Sequence, residues 1–422
     1  MPTRAQAPAV PRLTYLRIKN YRALRDVEFR DLTPLTVLIG PNGSGKSTVL
    51  DALDFLAEAV RGNLVGAWEK RNRFKGMKTR GSEGNIEFEV ELKSSSNGKG
   101  IKYEIAIDEI NEGLIISKEY ISTEDKHGEY DQIFVAMREA NSSTIGLGYY
   151  DTNASKESIQ KTENQNRKLL TNDISKNQVA VKNLSVMDNQ AQPIALQIVD
   201  ALSSYRYIHL TDDHLKGYSD AGPREKLSPN GDNLPNVLYY LHKKHPAALA
   251  KITAQLRKWV PGLADIVPEI TSDERILLRF KDVEFEKPMP AQYMSGGTMR
   301  LTALLTLLHE ADAAGLLGIE EPENELHPQL LYRLTEEFEK AAEKRQLFVT
   351  THSPLILDAL SPEQVWVMYR GADGYAHATR TADMPNVPEL VEDGSMLGYL
   401  WTSNTFTVGD PQAPLKASPD AR

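Results

Sequence analysis

The alternation of apolar and polar positions predicts several strands in the N-terminal third of the chain. LTYLRIKNY and LRDVEF alternate with period two and LTVLIG is a continuous apolar run, so all three read as strands. After a glycine-rich loop, apolar residues recur at helical spacing over 49–60, which predicts an amphipathic helix. Two further period-two runs, 86–92 and 101–107, predict a half-buried antiparallel pair that turns at SSNGKG.

The C-terminal half mixes helical and strand patterns, as α/β proteins do. NLPNVLYYLHKKH and AALAKITAQLRKWV have helical spacing, whereas RILLRF and VEFE read as strands. MSGGTMRLTALLTLLHEA predicts a loop that opens a leucine-rich helix, followed by the strand GLLGIEE, a helix over 329–344 and the buried strand of QLFVTTHSP, which ends at His352. Residues 151–192 are rich in Asn, Gln, Ser and Lys and predict a polar lobe or a partly ordered loop, without coiled-coil heptads.

Composition changes this picture little. With 422 residues, 41% hydrophobic and 25% charged, the chain is typical of globular proteins of one to three domains. The net charge of −9 argues against a surface covered with nucleic-acid-binding residues but leaves a local basic patch open. The chain has no cysteine, no signal-like apolar region near its start and no apolar stretch of bilayer length. We therefore expect a soluble, cytoplasmic protein.

The loop GPNGSGKST fits G-x-x-x-x-G-K-[ST] and lies between a predicted buried strand and a predicted helix. Glycines allow successive backbone N–H groups to point at phosphate oxygens, and the helix N-terminus favours their negative charge. Lys46 is predicted to reach the β- and γ-phosphates of ATP, and Ser47 to place its hydroxyl on Mg²⁺. The predicted nucleotide-binding residues of this loop are Gly40, Pro41, Asn42, Gly43, Ser44, Gly45, Lys46, Ser47 and Thr48.

Two adjacent acids, Glu320 and Glu321, end the strand GLLGIEE. Like charges held this close cost free energy unless a cation offsets them. With a phosphate loop upstream, Glu320 is predicted to hold Mg²⁺, directly or through water, as the acid at the end of the neighbouring strand does in P-loop enzymes. Glu321 is predicted to orient and deprotonate the attacking water. The alternative is a pair of solvated acids at a strand end.

Two further elements suit a phosphate when they occur beside such a loop. Ser295, Gly296 and Gly297 open a predicted helix with small residues and free backbone donors. His352 ends a predicted buried strand. Serine–glycine turns are common, and a lone histidine is more often structural. The prediction that these elements bind phosphate therefore depends on their order along the chain.

In that order the motifs resemble those of an ABC-type ATPase head: a Walker A loop (40–47), a signature loop (295–297), a Walker B strand (316–321), a D-loop (324–327) and a switch histidine, His352. Three features resemble the SMC, RecF and OLD-like group rather than transporter subunits. They are the segments EEPENELHP and TTHSP, the opening segment LRIKNYRALRDVEF, and the wide gap between Lys46 and Ser295.

The resemblance implies an α/β P-loop NTPase head with a mixed central sheet, an antiparallel β subdomain and an inserted helical and polar lobe. The implied divisions are a mobile tail (1–11), an N-terminal ATPase lobe (12–95), the β extension and inserted lobe (96–274), a C-terminal ATPase lobe (275–400) and a partly disordered tail (401–422). It also implies a head-to-tail dimer around two ATP molecules. Ser295 and Gly297 of one chain would touch the γ-phosphate bound by the other, His352 would contact it in cis, and His327 would lie at the dimer seam.

Two features depart from that pattern. Glu320 stands where aspartate is commonest, and no glutamine occurs between Lys46 and Gln132, so the usual Q-loop residue is missing or displaced. Slow turnover is expected.

Effector chemistry is not predicted within the chain. No D-x-D follows His352, as a TOPRIM nuclease domain would require, and HLTDDH and HKKH are interpreted as polar surface rather than metal sites. The chain resembles the stand-alone OLD/RecF-like ATPases of bacterial anti-phage defence operons. Its predicted role is a sensor or scaffold that controls a separately encoded nuclease or toxin.

A RecF-like DNA repair ATPase is the alternative, and a transporter energiser is a weaker one. The DNA hypothesis rests on clustered cations around Phe74, because such clusters bind phosphates without reading sequence; a solvated basic loop explains them equally well. The cations are Lys70, Arg71, Arg73, Lys75, Lys78 and Arg80.

Overall fold

The computed structural model describes most of the chain. The described residues are 11–93, 98–111, 113–124, 130–138, 145–149, 179, 181–182, 192–217, 219–220, 222, 224–310 and 314–410. The predicted polar lobe at 151–192 therefore lies almost entirely outside the described residues, as do positions 95–97 of the predicted SSNGKG turn, residues 1–10 and the last twelve positions of the predicted C-terminal tail.

In chain order the described strands are β1 (Arg12–Tyr21), β2 (Leu24–Phe29), β3 (Leu35–Ile39), β4 (Ile86–Lys93), β5 (Gly100–Ile110), β6 (Gly113–Glu124), β7 (Tyr130–Arg138), β8 (Ile145–Tyr149), β9 (Arg206–Ile208), β10 (Ser219–Asp220), β11 (Leu263–Ile270), β12 (Arg275–Asp282), β13 (Met289–Pro290), β14 (Leu316–Glu320), β15 (Gln346–Thr351), β16 (Val365–Arg370) and β17 (Ala376–Arg380). The described helices are α1 (Lys46–Val60), α2 (Leu64–Lys70), α3 (Arg73–Met77), α4 (Gln192–Ser203), α5 (Asp212–Leu215), α6 (Leu234–Lys244), α7 (Pro246–Trp259), α8 (Gly296–Leu308), α9 (Leu331–Ala342), α10 (Pro354–Leu357), α11 (Val387–Glu392) and α12 (Leu397–Thr402). Short 3-10 turns lie at Ala291–Tyr293, Pro328–Leu330, Pro362–Gln364 and Thr381–Asp383.

A mixed sheet forms the centre of the molecule. Its described strands run in the order β17-β16-β3-β15-β14-β9, and all neighbours are parallel except the antiparallel pair β16–β17. Because the carboxyl ends of parallel strands meet at one edge of a sheet, the residues that follow β3, β14, β15 and β9 are brought together there. This topology confirms the predicted α/β P-loop fold and brings the predicted site residues to one edge of the sheet.

Apolar cores cover both faces of the central sheet, as alternation along β3 requires. Leu38 packs on one side with α1 and the antiparallel sheet, while Val37 and Ile39 pack on the other side with α8 and α9. A leucine-rich helix such as α8 is buried nearly all round for this reason.

The antiparallel subdomain is also confirmed. Its described strands run in the order β2-β1-β4-β5-β6-β7-β8, and β4 pairs with β5 in register, Phe88 opposite Ile105. Phe55 of α1 packs against Phe88, with ring centroids 5.8 Å apart, and so joins this sheet to the helix that follows the phosphate loop.

A smaller antiparallel sheet, β10-β12-β11 with β13 beside β12, accompanies α6 and α7.

Here one sequence prediction was wrong: VEFE does not form a strand. β12 ends at Asp282, and Val283 and Phe285 are 71% and 64% exposed, so their period-two spacing reflects no buried face. The chain pairs again only at Met289–Pro290, and the strand Leu263–Ile270 was not anticipated.

Part of the predicted C-terminal tail is packed. Phe406 is 3% exposed, and its ring lies 6.0 Å from that of Trp401, so the chain is folded through this position. None of the helices in the described part of the chain has the length and apolarity that a bilayer crossing requires.

Candidate nucleotide-binding site

The predicted phosphate loop joins β3 to α1, and its backbone requires glycine. A Cβ atom on Gly40 would lie 1.9 Å from the carbonyl oxygen of Met368, and Gly45, which caps α1, has a φ of +102°. Ser44 is buried, and its hydroxyl has no hydrogen-bond partner among the described residues. A buried hydroxyl without a partner, beside the N-terminus of a long helix, fits a loop built to receive an anion.

Lys46 lies folded over this loop. Its Nζ donates hydrogen bonds to the carbonyl oxygens of Gly40 and Pro41, at 2.8 and 3.1 Å. Burial lowers its pKa to about 8, although the carboxylates of Glu321, Glu323 and Glu320 oppose the shift. A polyphosphate beside the ammonium would favour its charged form further, so the site has an electrostatic reason to accept one.

Glu320 is the last residue of β14, and both of its carboxylate oxygens are engaged. Oε1 accepts a hydrogen bond from the Ser47 hydroxyl. Oε2 accepts one from the Tyr207 hydroxyl and lies 2.8 Å from Nδ1 of His209.

A serine hydroxyl beside a carboxylate is a donor set that suits Mg²⁺, which uses one or two protein oxygens together with substrate phosphates. The described residues contain no cluster of three metal-ligating side chains that would hold a metal without phosphates. Ser47 and Glu320 fit a metal that is also bound by phosphate oxygens, and they are the residues that would hold it.

Glu321 points differently from its neighbour because its backbone takes a φ of +40°. Its Oε1 lies 3.1 Å from Nε2 of His352, and its Oε2 accepts a hydrogen bond of 3.0 Å from the side-chain amide of Asn324. The predicted general base and the predicted switch histidine thus converge on each other across the ends of β14 and β15.

Glu323 is a site residue that sequence reasoning missed. Its Oε1 accepts hydrogen bonds of 2.7 Å from both the Thr351 hydroxyl and the backbone N–H of His352. It therefore fixes the strand end that presents the switch histidine. The acid-rich segment PENE was the available signal, but its sequence cannot show which strand the acid meets.

The signature loop opens α8 as predicted. Ser295 caps the helix by accepting from the backbone N–H of Thr298 at 3.2 Å. The glycines allow close approach to the D-loop: a Cβ on Gly296 would lie 1.8 Å from a carboxylate oxygen of Glu325, and one on Gly297 would lie 2.6 Å from the Glu325 carbonyl. Glu325, in the predicted D-loop, thus lies against the glycines of the predicted signature loop.

Arg300 ties α8 to the Walker B strand and was also missed. Its guanidinium donates to the carbonyl oxygens of Leu210 and Glu321, at 3.0 and 3.4 Å, and burial lowers its pKa. A movement of α8 would therefore shift the backbone of Glu321, the predicted general base.

The predicted basic patch needs one correction. Arg71 is only 5% exposed and forms ion pairs with Asp51, Asp54 and Glu58 of α1, so it is not available to a nucleic acid. Phe74 is buried too. Of the remaining cations, Lys70 pairs with Glu58 at 2.9 Å, while Arg73, Lys75 and Arg80 are exposed and Lys78 is half-buried.

Within HLTDDH, which was interpreted as polar surface, His209 is exposed, but it also lies beside Glu320, which was not predicted. Because β9 runs parallel to β14 with Ile208 opposite Ile319, the residue after Ile208 falls beside Glu320. Tyr207 lies in the same row and was missed with it. The period-two run YRYIH could have indicated a strand, but not which acid it adjoins. In HKKH, His242 is exposed and His245 contacts the Tyr240 hydroxyl at 3.2 Å.

A family model described as "AAA domain, putative AbiEii toxin, Type IV TA system" matches residues 35–358. An OLD nuclease of Thermus scotoductus is 48% identical over 44 residues, a segment that covers 10% of this chain and 8% of that protein.

Two solved SMC head structures are similar. The SmcHead bound to the C-winged helix domain of ScpA is 15% identical, with a TM-score of 0.47, covering 87% of this chain and 98% of that chain. The Smc head with an extended coiled coil from Pyrococcus furiosus, bound to the C-terminal domain of ScpA, is 12% identical, with a TM-score of 0.48 and coverages of 91% and 99%.

Proposed function

Because the chain belongs to the AAA-domain family described as putative AbiEii toxin, type IV TA system, and is an SMC/OLD-like ATPase, we propose that it binds and hydrolyses ATP to control a partner protein. ATP with Mg²⁺ binds at the phosphate loop, two chains close head to tail around two nucleotides, and the closed state regulates a separately encoded nuclease or toxin in anti-phage defence.

The convergence of Ser47, Glu320, Glu321 and His352 at one sheet edge carries this proposal. Mg²⁺ bound there would neutralise charge on the β- and γ-phosphates. Lys46 binds the same phosphates, and Glu321 orients a water and accepts its proton. His352, whose Nε2 lies 3.1 Å from Glu321, contacts the γ-phosphate.

The geometry also accounts for the slow turnover we propose. Both carboxylate oxygens of Glu321 are engaged, one by His352 and the other by Asn324. A base held in this way is released only when nucleotide and the second chain reorganise the site. Burial of Ser295 and Gly297 against the second chain's nucleotide would supply that change.

Names among the similar proteins support the effector part of the proposal. The family description names a putative toxin, and the matched relative is named a nuclease. The alignment to that relative is restricted to a short segment, so its nuclease activity is not transferred; the ATPase is proposed to act beside such an activity.

DNA binding of the RecF type is the second candidate, carried by the exposed Arg73, Lys75 and Arg80. If it is correct, duplex affinity falls steeply with salt and is lost on charge reversal of Lys75 and Arg80. The internal ion pairs of Arg71 leave this candidate with fewer cations than the sequence suggested.

The test uses Glu321→Gln, tagged in its own host and purified with ATP and Mg²⁺. We expect this variant to bind ATP, to hydrolyse it poorly and to accumulate closed dimers, because the amide cannot accept the water's proton. Native mass analysis should then show a second protein at fixed stoichiometry. A homodimer that carries only DNA would favour the repair function, and undiminished phosphate release would show that the base lies elsewhere.

A further inference from the structure

Three side chains at positions 205, 207 and 209 form a row along β9 that faces α1 and the Walker B acid. Tyr207 pairs with Gly318 and Ile208 with Ile319, so the row runs beside Gly318 and Glu320. Gly318 has to lack a side chain, since a Cβ there would lie 2.1 Å from the Tyr205 hydroxyl. The parallel register therefore delivers an aromatic row to the metal-holding end of β14.

Members of this row have different partners. The Tyr205 hydroxyl donates to the carbonyl oxygen of Leu50 in α1, at 3.0 Å, and does not contact Glu320. The Tyr207 hydroxyl donates to Oε2 of Glu320, and Nδ1 of His209 lies 2.8 Å from that same oxygen. Oε1 is left to face Ser47.

We propose that Tyr207 and His209 are positioning residues that fix the rotamer of Glu320 for the metal. The inference rests on the proposed function, since it concerns the Mg²⁺ that accompanies ATP. Glutamate has one more rotatable bond than the aspartate commonest at this position, and that freedom would cost entropy each time a metal is bound. Two polar partners on Oε2 remove that freedom in advance, so that Oε1 and the Ser47 hydroxyl, which contact each other, can turn to the metal.

Tyr207 and His209 contact the carboxylate that would hold the metal rather than the metal itself. Partners of metal-ligating side chains typically contribute 10–100-fold to metal affinity.

The experiment measures nucleotide affinity twice, in EDTA and in a titration with Mg²⁺, for wild type and Tyr207→Phe. We expect the affinity in EDTA to remain within about twofold, because the phosphate loop is untouched, and the Mg²⁺ midpoint to rise about tenfold or more. Tyr205→Phe is the matched control: it removes a phenol from the same row that does not contact Glu320, and its Mg²⁺ midpoint should equal that of wild type.

A second variant guards against misfolding of Tyr207→Phe. The His209 side chain is 55% exposed, so His209→Ala should fold normally and still raise the Mg²⁺ midpoint. Glu320→Asp gives a double-mutant cycle with Tyr207→Phe: because a shorter carboxylate withdraws from the tyrosine, their effects on the midpoint should fall short of additive.

The outcomes separate the inference from the proposed function. Wild-type protein that binds no ATP, or binds it equally with and without Mg²⁺, would overturn the proposed function itself. Mg²⁺-dependent wild type with unchanged midpoints in both Tyr207→Phe and His209→Ala would overturn the positioning role alone. Additive effects in the cycle would show that Tyr207 does not act through Glu320.

Discussion

At the residue scale, the adjacent carboxylates of Glu320 and Glu321 have different partners because the backbone turns between them. Glu320 ends β14 with regular geometry, while Glu321 takes a φ of +40°, a conformation that costs a non-glycine residue about 1 kcal/mol. That turn directs one carboxylate to Ser47 and the other to His352. Strain and like-charge repulsion are tolerated here because each acid has its own polar partners.

Lys46 shows a second conflict between stability and function. Its folded-state pKa of about 8 lies below its ordinary value of 10.5, so the charged lysine destabilises the nucleotide-free fold at neutral pH. The cost, on the order of 1–3 kcal/mol, is full below pH 8 and fades as the pH rises to about 10.5, where the unfolded lysine also loses its proton.

We therefore expect Lys46→Met to melt no lower than wild type at pH 7 without nucleotide, yet to lose the stabilisation that ATP and Mg²⁺ confer. Thermal unfolding with and without nucleotide measures both effects. Lys75→Met, at an exposed position, is the control and should behave like wild type. A remaining ATP-induced shift in Lys46→Met would contradict the assignment of the phosphate loop.

At the element scale, α2 and α3 are held on α1 by a buried arginine. Arg71 donates to the carboxylates of Asp51 and Asp54, at 2.9 and 2.8 Å, and to Glu58, and its guanidinium lies 5.4 Å from the ring centre of Phe55. The basic segment is thus partly an internal clamp on the helix that follows the phosphate loop.

Arg71→Ala should lower the free energy of unfolding by about 3–5 kcal/mol, because three carboxylates lose their shared partner. Lys75→Ala, a few positions away and exposed, should change it by less than about 0.5 kcal/mol. Denaturant titration followed by far-UV circular dichroism compares the two. Equal stabilities would mean that the cluster is solvated and that Arg71 is free to meet a nucleic acid.

At the scale of the whole molecule, the proposed dimer makes each site from two chains: the phosphate loop of one and the signature loop of the other. Ser295 caps α8, whose first turn lies against the D-loop in the single chain. The proposed contact between Ser295 and a γ-phosphate forms only when a second copy of the chain brings its bound nucleotide to this loop.

This arrangement predicts complementation between two inactive variants. Lys46→Met and Ser295→Arg should each be inactive alone, whereas their mixture contains heterodimers with one intact site and one doubly defective site. With random exchange of subunits, about a quarter of wild-type ATPase activity should return. Phosphate release against mixing ratio measures it, with each variant mixed with wild type as the control. No recovery after demonstrated subunit exchange would exclude the head-to-tail dimer.

The parts of the site that could be predicted from the sequence are those whose conformation depends on neighbouring residues in the chain. GPNGSGKST fixes loop, strand and helix within nine residues, because the glycine conformations and the helix start are set by neighbours in the chain. The paired acids could be read for the same reason. VEFE misled because alternation reports burial only when a partner layer exists, and here the side chains face solvent.

Tertiary structure alone decided the rest. Tyr207 is 113 positions from Glu320, and Glu323 meets Thr351 only because β14 and β15 are neighbours. The same holds for Arg71. Its position in a basic segment of the sequence suggests a nucleic-acid contact, but in the structure it forms ion pairs with acids of α1. Spacing along a chain specifies which residues share an element, whereas hydrogen-bond partners depend on which elements become adjacent, and strand order and register determine that.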